Sequence, residues 1–223
     1  MAQSLNIYIS GQLLENKALP LQEIKVSCVD YITAGVDTVG NSLLYALWLI
    51  SNDTRVQSQL RAELSSLGDI ELTPDIIASL SYLRACIKES FRLYPTASQI
   101  ARLTEAPMEL SGGYVLPPNS LVLCHTQIAS HQEENFTQAK KFIPERWIAD
   151  ERDRTWNHKA NLVMPFGSGK RICPGKRLAE QELHIMVAKI FKNFEMEPVD
   201  DLGIEFNWLM SPCGPLRFKL KKL

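Results

Sequence analysis

The stretch "PFGSGKRICPGKRLAE", Pro165 to Glu180, sets one cysteine between a glycine-rich loop and a helical run. Pro174 suits the first turn of a helix, where no backbone N–H is needed. The spacing of Leu183, Met186, Ile190 and Phe194 then predicts a helix over about Pro174 to Phe194. Cys173 falls at or beside its N-cap, where the partial positive charge of the helix end favours a thiolate over a thiol. Gly167, Gly169 and Gly175 let the backbone fold tightly around the sulfur and let a flat ligand approach. A thiolate held by a loop is a metal-ligand arrangement, and one without His or Cys companions points to iron already held in a macrocycle. The competing reading is a buried, inert cysteine, which is what most lone cysteines are.

Working outward, the other cysteines, Cys28, Cys86, Cys124 and Cys213, are widely spaced and form no CxxC pair, which argues against a disulfide framework or a zinc ribbon. With 223 residues, 45% of them hydrophobic, the chain can bury a core. Its net charge of −1 supplies no global basic field for nucleic acid or anionic membrane. The N-terminal "MAQSLNIYISGQLLENKALP" carries neither a signal-peptide pattern nor an Arg-rich transit pattern. The longest apolar run, Leu43 to Ile50, is far short of the ~20 residues that span a bilayer.

Helices come first along the chain. Pro20 precedes a helical stretch from Leu21 to Ser51, roughly 46 Å long at 1.5 Å per residue. A second helix is expected over Thr54 to about Leu67, and a third after Thr73 as N-cap with Pro74 at its first position. A fourth should run from about Leu80 to Tyr94, ending before Pro95. From Ala97 to His131 the pattern changes to short β-prone pieces broken by "SGG" and "LPPN". Gln132 to Val163 reads as ordered coil containing "FIPERW", and the tail "GIEFNWLMSPCGPLRFKL" as a hairpin.

The segment "FGSGKRICPG" resembles, at each of its six defined positions, the haem-binding loop Phe–Gly–x–Gly–x–Arg–x–Cys–x–Gly of the cytochrome P-450 haem-thiolate monooxygenases. The resemblance implies that Cys173 is the axial iron ligand, Arg171 a haem-propionate contact and Phe166 packing near the sulfur. Three further stretches stand in the family's order. "AGVDT", Ala34 to Thr38, places a glycine inside the long helix at a cost of about 1 kcal/mol, and Thr38 can turn its hydroxyl to the carbonyl of Ala34. By itself it reads as close helix packing. By resemblance it is the oxygen-binding groove, in which Thr38 holds dioxygen and its water, Asp37 helps relay protons and Ala34 borders the substrate. "ESFR" sets Glu89 and Arg92 at i and i+3 on one helix face. Exposed, such a pair means little; in the family it is buried and joins the arginine of "PERW", here Arg146, to fix the haem loop from behind. "TASQIARL" resembles the strand over the haem edge, which implies Arg102 as a second propionate contact and Ala97, Ser98 and Ile100 facing substrate. Trp208, Leu209 and Met210 match the other substrate-facing turn, with core packing as the alternative.

Arg84 and Lys88, one helical turn apart, together with Lys176 and Arg177 compose a basic patch near the cysteine loop. The whole-chain similarity is to the mitochondrial branch, whose members take electrons from a small acidic ferredoxin and its reductase. Within it, the resemblance is strongest to animal, in particular insect, steroid-pathway hydroxylases, with a xenobiotic-clearing relative as the alternative. The implied location is the matrix side of the mitochondrial inner membrane, the endoplasmic reticulum membrane being the other option. The resemblance covers nearly the whole chain but only the C-terminal half of a family member. The expectation is therefore a mainly α fold with small β elements, residues 1–223 being the C-terminal part of one haem-dependent domain that uses O2 on an apolar small molecule and binds no nucleic acid. A short, non-catalytic product of such a gene is the competing reading.

Overall fold

The computed structural model describes residues 19–68, 70–148 and 162–223. The N-terminal stretch read for targeting patterns lies, up to residue 18, outside them, as does part of the coil expected between Gln132 and Val163.

Helix α1 runs from Leu21 to Ser51, as its sequence pattern predicts. Its two halves differ. Tyr45, Ala46, Leu47, Leu49 and Ile50 are buried, whereas Leu21, Val26, Val29, Ile32 and Val36 are more than half exposed. Helix α2, Thr54–Ser65, is capped by Asp53, whose carboxylate accepts from the amides of Arg55 and Val56 at 3.0 and 3.1 Å. Helix α3, Pro74–Ser79, starts behind the expected Thr73 cap. Helix α4, Ser81–Leu93, has no side-chain cap of its own. Its first amides are satisfied from α2 instead: Glu63 accepts from Tyr82 N at 2.7 Å and Leu83 N at 2.9 Å. The carboxylate also meets the positive end of the helix.

Between Ala97 and His131 four short strands form two antiparallel pairs. Strand β1, Ile100–Leu103, pairs with β4, Leu121–Cys124; β2, Met108–Leu110, pairs with β3, Tyr114–Leu116, around Gly112 and Gly113 at positive φ. The chain then forms a short helix α5, Thr126–Ser130, where β-prone sequence is expected. Five residues are too few for a helical period to show in the sequence. A 3₁₀ turn, Pro144–Trp147, interrupts the coil.

Helix α6 spans Lys176–Asn193, two residues later at its start than Pro174 suggests. Strand β5, Phe194–Pro198, follows without a loop, so Phe194 is strand rather than helix. The tail hairpin is β6, Ile204–Asn207, and β7, Leu209–Pro212, joined by Trp208 alone at φ 65°. The last strand, β8, Phe218–Lys222, leaves that hairpin and pairs with β5.

One core joins α1, α2, α4 and α6 through Ile50, Leu60, Leu64, Leu83, Cys86, Leu183, Val187 and Phe191. The buried Gln57 of α2 adds a polar clasp: its amide donates to Met196 O at 2.9 Å and accepts from Met196 N at 2.8 Å, tying β5 to the helices. This is the predicted architecture, mainly helical with small sheets at the edges.

Candidate functional site

The cysteine loop is pinned at its root. Cys173 N donates to Phe166 O at 2.8 Å, closing a loop in which Gly167 and Gly169 take φ near +70°, a conformation that side chains resist. The Phe166 ring packs edge-on against Phe91 of α4, centroids 5.3 Å apart, which seats the loop on the core. Lys170 and Arg171 lie exposed in a 3₁₀ turn, Gly169–Arg171. The position of Cys173 needs a correction. Gly175 is the N-cap of α6, and Cys173 stands two residues before it, in a turn whose amide Lys176 N donates to Cys173 O at 3.3 Å. Pro174 belongs to that turn. The residue is exposed, as are Cys124 and Cys213, so the loop rather than exposure distinguishes it.

The helix whose Phe91 seats the loop also carries a closed charge cluster. Glu89 and Arg92 are both wholly buried. Glu89 Oε1 accepts from Arg92 Nη2 at 2.8 Å, Arg146 Nε at 2.9 Å and Ile143 N at 3.0 Å; Oε2 accepts from Arg92 Nε at 2.9 Å and Trp147 Nε1 at 2.7 Å. The remaining donors of Arg92 reach the carbonyls of Ser130, Ala139 and Lys141. A buried ion pair needs such satisfaction, because removing water from two charges costs several kcal/mol each.

Sequence reasoning anticipates Arg146 here but not Trp147. A signal was available, since a half-buried indole N–H needs an acceptor. Glu145 was also missed: it bonds Arg55 of α2 and accepts from the Tyr82 hydroxyl at 2.8 Å, locking the turn to two helices. Burial opposes its charge, but the hydrogen bonds from Arg55 and Tyr82 outweigh burial and hold Glu145 below its ordinary pKa. Burial, then the bond to Glu145, pushes the Tyr82 phenol well up.

On the open side, Thr38 Oγ1 donates to Ala34 O at 2.7 Å, while α1 stays helical throughout. Ala34 and Asp37 are exposed and Thr38 half-buried. A Cβ built on Gly35 would meet nothing within 4 Å, so no neighbour packs there. One turn on, the Ser42 and Thr96 hydroxyls share a hydrogen bond at 2.9 Å, and Thr96 O accepts from Met210 N at 2.9 Å. Thr96 therefore brings α1, the segment leading into β1, and β7 together. Of the expected substrate-facing residues, Ala97 is exposed, Ile100 and Leu209 are partly so, and Ser98 is buried with its carbonyl held by Thr126. Met210 is buried, and Trp208 is 94% exposed, so core packing does not account for that indole. Arg102 of β1 reaches the cysteine loop, its Nη2 donating to Ser168 O at 3.4 Å.

Three of the four basic residues have contacts that place them. Arg84 Nη1 donates to Ala78 O at 3.0 Å. Lys88 is exposed at the surface, with its Nζ 4.2 Å from the centroid of the Trp147 ring; partial loss of water around it, then the Arg84 charge, lowers its pKa. Lys176 sits over Phe166 and 4.0 Å from Glu180, and Arg177 is exposed.

The chain belongs to the cytochrome P450 family, whose profile matches residues 3–221. It is 40% identical over 210 residues to ecdysone 20-monooxygenase of Drosophila melanogaster, covering 93% of this chain and 39% of that protein. It is 35% identical to the mitochondrial 1,25-dihydroxyvitamin D(3) 24-hydroxylase of Mus musculus, covering 84% of this chain and 36% of that one. A crystal structure of a cytochrome P450 (CYP102L1) superposes with a TM-score of 0.81 at 27% identity, over 91% of this chain and 47% of that chain. The chain thus spans less than half the length of these relatives.

Family membership implies haem, and the residues present fit it. Among the described residues no cluster of three or more His, Cys, Asp or Glu could hold a bare metal ion. One exposed cysteine in a glycine loop, with the apolar Ile172 beside it 43% exposed, suits an iron that brings its own nitrogen ligands.

Proposed function

We propose that this chain is the C-terminal part of a single haem-thiolate monooxygenase domain that inserts one atom of O2 into a C–H bond of an apolar, steroid-like molecule. The other atom leaves as water, with two electrons from a small ferredoxin and two protons. The observation that carries the reading is the Cys173 loop, closed by its bond to Phe166 O and seated on Phe91. Haem, when bound, supplies the oxygen-activating chemistry. Cys173 would hold it at the sulfur, and Arg102 and Arg171 would neutralise its carboxylates. Thr38, its hydroxyl kept in place by Ala34 O, holds and passes protons together with the exposed Asp37. Ala34, Ala97, Ile100 and Leu209 offer small and apolar surface to substrate, with Ser98 behind them. Arg84, Lys88, Lys176 and Arg177 receive the acidic donor.

Support for a steroid-like substrate and a mitochondrial location comes from the relatives, one named for ecdysone and another for vitamin D in mitochondria; the matrix side of the inner membrane is part of the proposal. The full-length enzyme with ferredoxin, its reductase and a panel of sterols should form a hydroxylated sterol only when ferredoxin is present. Turnover without ferredoxin, or oxidation of none of the sterols, would overturn the reading.

A second outcome concerns these 223 residues expressed alone. The exposed Leu21, Val26, Val29, Ile32 and Val36 form an apolar stretch along α1 that favours self-association. Aggregation, weak haem uptake and no monooxygenase activity are expected. A soluble monomer with stoichiometric haem, seen by size-exclusion chromatography and absorbance, would contradict this.

A further inference from the structure

Lys88 and Glu89 are neighbours in α4 with opposite fates, one exposed and one wholly buried. Trp147 touches both. Its Nε1–H donates to Glu89 Oε2 at 2.7 Å, which anchors the indole in the buried cluster, and its face lies 4.2 Å below the Lys88 ammonium. Phe136 backs the ring at 6.1 Å. We propose that Trp147 is a positioning residue that holds Lys88 in place for an acidic protein partner, the electron donor. The inference rests on the reading of Arg84 and Lys88 as the docking pair.

An aromatic face suits this task better than a carboxylate would. It attracts the cation through its quadrupole yet carries no charge to cancel it, so the ammonium keeps its charge for the partner's carboxylates. A lysine left to itself samples many rotamers, and ordering it on contact weakens binding; one already resting on a ring loses less. Arg84, a turn earlier, is fixed separately by Ala78 O. Both cations of the pair are thus set before a partner arrives, and Lys88 is set relative to the buried cluster on the helix that seats the cysteine loop.

The test is a double-mutant cycle on the full-length haem enzyme, reading the Kd for ferredoxin by calorimetry at low salt. Lys88→Gln should weaken binding, and Trp147→Leu should weaken it about two- to five-fold, the equivalent of about 0.5–1 kcal/mol. In the Lys88→Gln background, Trp147→Leu should have no further effect. If Trp147→Leu fails to fold, Trp147→Phe replaces it in the same cycle: a smaller effect is expected, again only while Lys88 is present. A Trp147 variant that weakens binding equally with and without Lys88, or not at all, overturns the proposal. If native enzyme does not bind ferredoxin, or Lys88→Gln changes nothing, the docking reading itself fails.

Discussion

In α4, Glu89 receives five hydrogen-bond donors and Arg92 is sealed among backbone carbonyls; in the first half of α1, Ala34 and Asp37 stand exposed and nothing fills the space beside Gly35. Both regions carry charged side chains, Asp37 in one and Glu89, Arg92 and Arg146 in the other. The closed one is completed by the chain itself, through segments brought from residues 130–147. In the open one the Thr38 hydroxyl turns back on its own helix, to Ala34 O, and no other element packs beside Gly35. The difference separates residues sealed into the fold from residues left accessible on it, and under the proposed function substitutions should respect it.

The largest effect is expected on the open side, at the sulfur. In the full-length enzyme, Cys173→Ser should abolish the red-shifted carbon monoxide band of thiolate ligation while leaving the secondary structure, by circular dichroism, intact. Survival of the band, or its loss on replacing Cys28, Cys86, Cys124 or Cys213 instead, would break the assignment. In the closed region, Arg92→Ala strands the buried Glu89 carboxylate and should cost ~3–5 kcal/mol in denaturant unfolding. A loss below about 1 kcal/mol, the range of exposed pairs, would show that the cluster is not sealed.

Thr38→Ala removes one exposed-side hydroxyl without breaking the helix. Reductant should still be consumed, with less product and more peroxide released, measured as the ratio of product to reductant. An unchanged ratio would remove Thr38 from proton handling. The smallest effect is a pH dependence at the rim of the closed region. Glu145 is held below its ordinary value of 4.5, so its stabilisation is present above that pH and lost as pH falls through the lower, folded-state value. Glu145→Gln should therefore flatten the fall in stability as pH drops below its ordinary value of 4.5, while at neutral pH it costs about 1 kcal/mol or less. An unaltered acid limb would mean that other carboxylates dominate.

What the sequence makes legible depends on how local the cause is. Helix α1 is readable to its ends because Pro20 opens it and its pattern runs unbroken to Ser51. The cysteine loop is readable because its glycines and its sulfur lie within ten residues. The start of α6 is misplaced by two residues, since a proline fits a turn before an N-cap as well as a first helical position. Strand β5 is hidden because it follows α6 directly and its partner, β8, lies past another hairpin. Arg55 and Glu145 meet across 90 residues, and Glu63 caps a helix that begins 18 residues away; neither contact leaves a local trace.

The Gln57 clasp also bears on how the molecule stays apart from its own copies. Among the described residues strand β5 has only β8 as a strand neighbour, and an open strand edge is a template for an extended segment from another chain. At Met196 the glutamine amide already occupies both the donor and the acceptor that such a segment would use. A peptide could lie along that edge only by evicting a buried side chain anchored in α2, so the same bonds that tie sheet to helix guard the sheet against growing.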